Sequence, residues 1–280
     1  MISDQLRLKL EQLNRGPLVV GSPAPEVRSP TRILPVEELP GAREVVGGSG
    51  RFLLIERRLS DLLDGAPALL GPFGDVFVGG RHGFSDLAPD SDWARLLAMD
   101  PSRIVFLDIE TLGLAGSPVF LIGLGHYADG DLVLHQLFCR DYAEEPHVLT
   151  YLAEHLNGCG AVVTFNGKAF DWPTLCDRAV VNRVARPAEL LHLDLLHEAR
   201  RRYRSVLPNC KLQTLEYHVC RRRRTGDIPG SLIPEVYHQF VRTGDATRMR
   251  DVVHHNALDV VTMVELLAFM AAGGELVWGD

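Results

Sequence analysis

The chain has 280 residues and a formal net charge of −7, with 46% hydrophobic and 23% charged residues. That balance suits a folded protein with ample core and excludes a disordered or collagen-like chain. No run of about 18 apolar residues occurs, so no membrane span is expected. Met1-Ile2-Ser3-Asp4-Gln5 lacks the basic and apolar regions of a secretory leader. The five cysteines (Cys139, Cys159, Cys176, Cys210 and Cys220) are odd in number and include no C-x-x-C pair. They predict reduced thiols in a cytoplasmic protein, not a disulfide framework or a zinc finger.

Net charge alone argues against a polyanionic partner, but its distribution argues the other way. From Arg200 to Arg224 nine basic residues (Arg200, Arg201, Arg202, Arg204, Lys211 and Arg221 to Arg224) stand against one acid, Glu216. Such a stripe in an acidic chain predicts a nucleic-acid contact, with a solvated helix end and loop as the plain alternative.

In chain order, residues 1–16 place Leu6, Leu8, Leu10 and Leu13 among charges, as a short helix would. Prolines at 17, 23, 25, 30, 35 and 40 then read as an extended linker, giving an N-terminal segment over 1–43. Residues 44–100 hold short apolar runs bounded by glycine, including Phe52 to Ile55, Gly71-Pro72-Phe73-Gly74 and Val76 to Val78. They predict a separate small β-rich module without a recognisable motif.

From residue 101 to 274 the pattern changes. Ile104 to Leu107 is the continuous apolar run of a strand buried on both faces. Two further runs, Val119 to Tyr127 and Leu132 to Phe138, flank Asp129-Gly130 and predict an antiparallel hairpin. An amphipathic helix over 144–156, a strand over 160–165, a helix over 172–184, a strand over 190–195 and a closing helix over 247–270 follow. The prediction is an α/β fold: a mixed five-stranded sheet flanked by helices, in the strand and helix order of a ribonuclease H-like core.

Acids punctuate this core. Asp108 and Glu110 end the first strand two residues apart, so both carboxylates leave the same face. Like charges so placed are costly unless a proton or cation relieves them; a solvated strand end is the plain alternative. Asp171 follows Asn166-Gly167-Lys168-Ala169-Phe170 at the head of a helix, where an N-cap would need no function. Asp259 shares a face of the closing helix with His255, four residues earlier; His254 precedes it by five.

In order and spacing, D-x-E, then N-x-x-x-F-D, then H-x-x-x-D, this set resembles the exonuclease motifs of the DEDD nuclease superfamily. The second motif looks closest to the proofreading exonuclease of family-B DNA polymerases. That group has Tyr where this chain has His255, and the histidine-using branch places its base at the position of His254, so both remain candidates for the general base. Over roughly 101–272, Lys211 to Glu216, Asp227-Ile228-Pro229-Gly230, Ile233 to Tyr237 and His255 to Asp259 together resemble the bacterial YprB-like ribonuclease H-like proteins.

The resemblance implies a metal-dependent nuclease, a 3′→5′ exonuclease on single-stranded DNA or RNA ends. Asp108, Glu110, Asp171 and Asp259 would hold two divalent cations, Mg²⁺ or Mn²⁺, which suit hard oxygen ligands. Asp108 would bridge the two, and Asp259 would serve the one that carries the attacking water. His255, or alternatively His254, would act as base; Thr111, Asn166, Lys168 and Arg221, Arg222, Arg223 and Arg224 would contact substrate. A lapsed nucleic-acid-binding module and a structure-specific endonuclease with the same site are the competing readings. Asp194 resembles a recurring acid of the group and implies a supporting role. His192 and His197 lack the thiolates or H-E-x-x-H of a zinc site and read as structural.

Overall fold

The computed structural model describes residues 33–48, 50–84, 87–113 and 116–274. The helix expected over 1–16 and the proline-rich stretch as far as residue 32 lie outside the described residues. The chain then forms a hairpin of β1 (Ala42–Gly47) and β2 (Gly50–Arg58), followed by helices α1 (Leu59–Leu62), α2 (Ala66–Phe77) and α3 (Asp92–Leu97). A meander of β3 (Ile104–Thr111), β4 (Val119–Ala128) and β5 (Asp131–Phe138) leads into α4 (Glu145–Leu156). After it come β6 (Ala161–Thr164), α5 (Asp171–Val181), β7 (Leu191–Asp194), α6 (Leu195–Tyr203), α7 (Leu212–His218), α8 (Ile233–Thr243) and α9 (Met249–Ala271).

All seven strands form one mixed sheet in the order β1-β2-β5-β4-β3-β6-β7. β6 runs parallel to β3 and to β7, and the other neighbours are antiparallel. The fold is therefore α/β and ribonuclease H-like, but the expected five strands become seven. Residues 44–100, expected as a separate β-rich module, instead add β1 and β2 to this sheet, with β2 paired along β5. Among the described residues the remainder of that stretch holds the three helices α1, α2 and α3, joined by irregular segments. Gly71 to Val76, read as part of the short apolar runs bounded by glycine, lie inside α2 despite Pro72. Leu70, Phe73 and Phe77 bury one side of α2, and Phe73 stacks on Phe77 at 4.5 Å and meets Phe106 of β3 edge-on at 6.1 Å. Packing of that apolar side outweighs a local glycine and proline signal.

The predicted hairpin turn is present. Asp129 and Gly130 both take positive φ, 54° and 80°, the two left-handed residues that a tight hairpin needs, and Ala128 pairs with Asp131 across it. β3 sits near the middle of the sheet with Ile104, Val105, Phe106 and Leu107 all buried. Burying each such side chain contributes about 1.5–3 kcal/mol. Val105, Leu107 and Ile109 face a core shared with α4 and α5; Ile104 and Phe106 face one shared with α2 and α9. Among the described residues α9 is the one helix long and apolar enough to suit a bilayer, but 78% of its most apolar window is buried inside the protein. Its apolar surface is the core itself.

Candidate active site

Alternation along β3 puts Asp108 and Glu110 on the face of Ile104 and Phe106, the side that α9 covers. Pairing with β4 shifts register between Glu110 and Thr111, so the strand breaks its ladder just where the second acid leaves it. Asp259 comes down from α9, and Asp171 from the first turn of α5 beyond the end of β6. The carboxylates converge. Burial, then Asp259, Glu110 and Asp171, hold Asp108 well above the usual carboxylate range. Glu110 is raised in the same way by burial, Asp259, Asp171 and Asp227. Burial pushes Asp171 up to about 7, with help from Asp194 and Asp259 and against backbone hydrogen bonds from Ile109 and Asp171 itself. Phe170, not Asp171, is the N-cap of α5, so the capping alternative for Asp171 does not apply.

Several groups hold these acids in place. Asn256 Nδ2 donates to Asp108 Oδ2 at 2.8 Å, while its Oδ1 accepts from Gln136 Nε2 at 2.8 Å. Gln136 Nε2 also donates to the Val253 carbonyl at 2.7 Å, tying β5 to α9. Asp194, at the end of β7, clamps the loop that leads to Asp171. Its Oδ1 accepts from the backbone of Asn166 at 2.8 Å and of Leu196 at 3.0 Å, and its Oδ2 from Lys168 at 3.1 Å. The first of these residues, Asn166, has φ 66°, a left-handed conformation that asparagine tolerates.

Of the two histidines on α9, His255 adjoins the acids. Its Nδ1 lies 2.7 Å from Asp227 Oδ1 and its Nε2 3.5 Å from Asp259 Oδ2. His254 instead lines a separate cavity with Arg57, Leu39 and Arg250. The His255 hydrogen bond and Arg224 outweigh burial and hold Asp227 below its ordinary value.

The arginine stripe divides. Arg224 donates to Asp259 Oδ1 at 2.5 Å and to Glu216 Oε2 at 2.6 Å, and its side chain is 6% exposed. Arg222 pairs with Glu216 at 2.7 Å and with Glu265 at 2.7 Å. Arg222 and Arg224, expected to contact phosphate, are thus both engaged by carboxylates of the protein, because unpaired charges there would be costly. Arg221 and Arg223 are exposed. Other members of the stripe share a cavity with the acids: Arg200 and Lys211 line a space of about 500 Å³ together with Asp108, Asn166 and Asp259. Lys168 lies 3.9 Å from Asp92, and Thr111 ends β3 with its hydroxyl on the Gly113 carbonyl at 2.7 Å.

Asn256, Asp227, Glu216 and the role of Arg224 escaped sequence reasoning as site residues. Asn256, Asp227 and Glu216 nonetheless fall inside the motifs that carried the family resemblance, which was the available signal. His192 takes the structural role expected, with Nε2 2.8 Å from Thr164 Oγ1.

A mixed sheet built on the β3-β4-β5 meander, with carboxylates gathered from a central strand, a following helix and the closing helix, defines an RNase H-like protein. Residues 105–271 match the family model described as RNase_H superfamily, and the chain belongs to that superfamily. Over 176 residues it is 34% identical to the uncharacterized protein YprB of Bacillus subtilis (strain 168), an alignment covering 61% of this chain and 42% of that protein. A solved family B DNA polymerase from the archaeon Pyrobaculum calidifontis overlays 61% of this chain and 26% of its own, at 18% identity and TM-score 0.47.

Proposed function

We propose that the protein is a metal-dependent nuclease, a 3′→5′ exonuclease acting on single-stranded DNA or RNA ends in the cytoplasm. One observation carries this reading: Asp108, Glu110, Asp171 and Asp259 converge, with Asp259 and Asp171 raising the proton affinity of Asp108 and Glu110, beside a cavity edged by Arg200 and Lys211. Crowded carboxylates of this kind are relieved by divalent cations, and an all-oxygen donor set fits Mg²⁺ or Mn²⁺. The four acids would hold two such ions, which when bound neutralise charge on the phosphate and favour ionisation of water.

The chain's own residues supply the rest. Asn256 fixes the Asp108 carboxylate by a bond that leaves its other oxygen available. Asp227 orients the His255 ring through Nδ1, which turns Nε2 toward the acids as the atom that takes a proton from water. Arg200 and Lys211 attract the phosphate backbone by charge neutralisation and counterion release. Strand polarity and end preference follow the motif resemblance to proofreading exonucleases.

The test uses 5′-labelled single-stranded DNA and RNA with Mn²⁺, wild type beside Asp108→Asn. A ladder shortened from the 3′ end is expected for wild type. The variant should lose at least about 100-fold in rate, the loss of some 3 kcal/mol of transition-state stabilisation. Activity surviving the substitution, or no cleavage of either nucleic acid, overturns the proposal; internal cuts would replace the exonuclease with an endonuclease.

A further inference from the structure

The opposite face of the sheet carries a second cluster of ligand-type side chains, which the nuclease reading does not use. His126 of β4 alternates with Gly123 and Gly125, whose faces meet α9, so its ring leaves toward α4. His135 of β5 pairs across the sheet with Leu124 and shares that face, and His155 reaches down from the last turn of α4. One nitrogen from each ring lies within 4.8 Å of the others.

We infer that His126, His135 and His155 form a transition-metal site, and that its occupant is zinc. Zinc is held by three imidazoles in many proteins, and no thiolate is needed. A simpler cluster of hydrogen-bonded rings accounts for one contact, His126 Nε2 to His155 Nε2 at 2.7 Å. It does not account for His135 Nδ1, which is buried and has no hydrogen-bond partner. A buried polar atom without a partner costs about 1–3 kcal/mol, and a third ring brought to the same point adds nothing to a two-ring hydrogen bond. Glu56 Oε2, 3.4 Å from His135 Nε2, adds negative charge beside the site, offset in part by its pairing with Arg43 at 3.2 Å. Tyr151 stacks on His155 at 5.9 Å and holds the ring's orientation.

Binding requires a modest adjustment. Two nitrogens on a tetrahedral zinc stand about 3.3 Å apart, so the His126 and His155 rings must separate by roughly half an ångström. The proton shared between their Nε2 atoms moves to a ring Nδ1. The site would then fasten the end of α4 to β4 and β5, independently of whether the acids on the other face cut nucleic acid.

The experiment measures bound zinc by mass spectrometry after chelator treatment and dialysis against equimolar Zn²⁺ with excess Mg²⁺ to occupy the acids. Wild type and Asp108→Asn should each keep about one zinc per chain. His126→Gln/His155→Gln should keep none, with far-ultraviolet circular dichroism confirming the fold. His155→Gln alone, at the helix end, is the second arm and should weaken zinc by at least about 100-fold even if the double variant does not fold. Wild type that retains no zinc overturns the site. So does zinc that His155→Gln keeps undiminished or that Asp108→Asn loses.

Discussion

A carboxylate held near neutrality is a source of instability that a cation removes. Asp171 sits at about 7 in the folded chain against an ordinary value of 3.8. Its folded value is raised, so the stability it contributes is present below pH 3.8 and is lost as pH rises through about 7. Asp171→Asn removes that loss. In chelator, the variant and wild type should melt together near pH 4, and the variant should melt several degrees higher at pH 8. Added Mn²⁺ should raise wild type and not the variant. Scanning fluorimetry across that range decides it, and a constant difference would show that Asp171 is not held high. Arg224 acts at the same scale: by reaching Asp259, Glu216 and Asp227 it supplies the positive charge that lets three acids share one corner.

Elements meet closely where the site requires it. A Cβ on Gly123 would lie 2.3 Å from Asn256 Oδ1, and one on Gly125 would lie 2.6 Å from a methyl of Val260. Both glycines of β4 therefore let α9 lie down on the sheet, and that approach brings Asn256 to Asp108. The Asn256 amide cannot swing aside cheaply, since Asp108 and Gln136 hold it at both ends. Gly123→Ala should destabilise the chain by about 1–3 kcal/mol through overpacking and displace Asn256 from Asp108. Denaturant melts and nuclease rates should both fall; wild-type values in both would mean that the helix accommodates the methyl. The corrected reading of residues 71–76 is also an element-scale lesson. Glycine and proline state a local preference, whereas Phe73 and Phe77 are placed by what lies across from them.

Over the whole molecule, charge is sorted and not merely summed. The net −7 includes the acids of the site, and the basic stripe divides into two placements. Arg222 and Arg224 neutralise buried carboxylates, while Arg200 and Lys211 face the cavity beside Asp108. Replacing Arg200 and Lys211 by glutamine should weaken single-strand binding and lower the slope of log K against log salt by about 1.4, two contacts at roughly 0.7 each. Fluorescence anisotropy over a salt series measures this, and an unchanged slope would remove both residues from the phosphate path. The alignment with YprB spans 42% of that protein, so activities of the larger molecule are separate questions.

The ribonuclease H-like order of strands and helices, the Asp-Gly hairpin and the acids of the core were legible in the sequence. Those apolar runs, that turn and that motif spacing are local, and packing did not override them as it did at residues 71–76. Membership of β1 and β2 in the central sheet was not legible, because strand pairing between residues about 80 positions apart leaves no mark in either segment. That His255 and not His254 adjoins the acids depended on the rotation of α9, and the division of the arginines depended on where Glu216, Glu265 and Asp259 were buried. The meeting of His126, His135 and His155 had no spacing to announce it. Contacts between distant segments are decided by burial and close packing, which only the folded chain brings about.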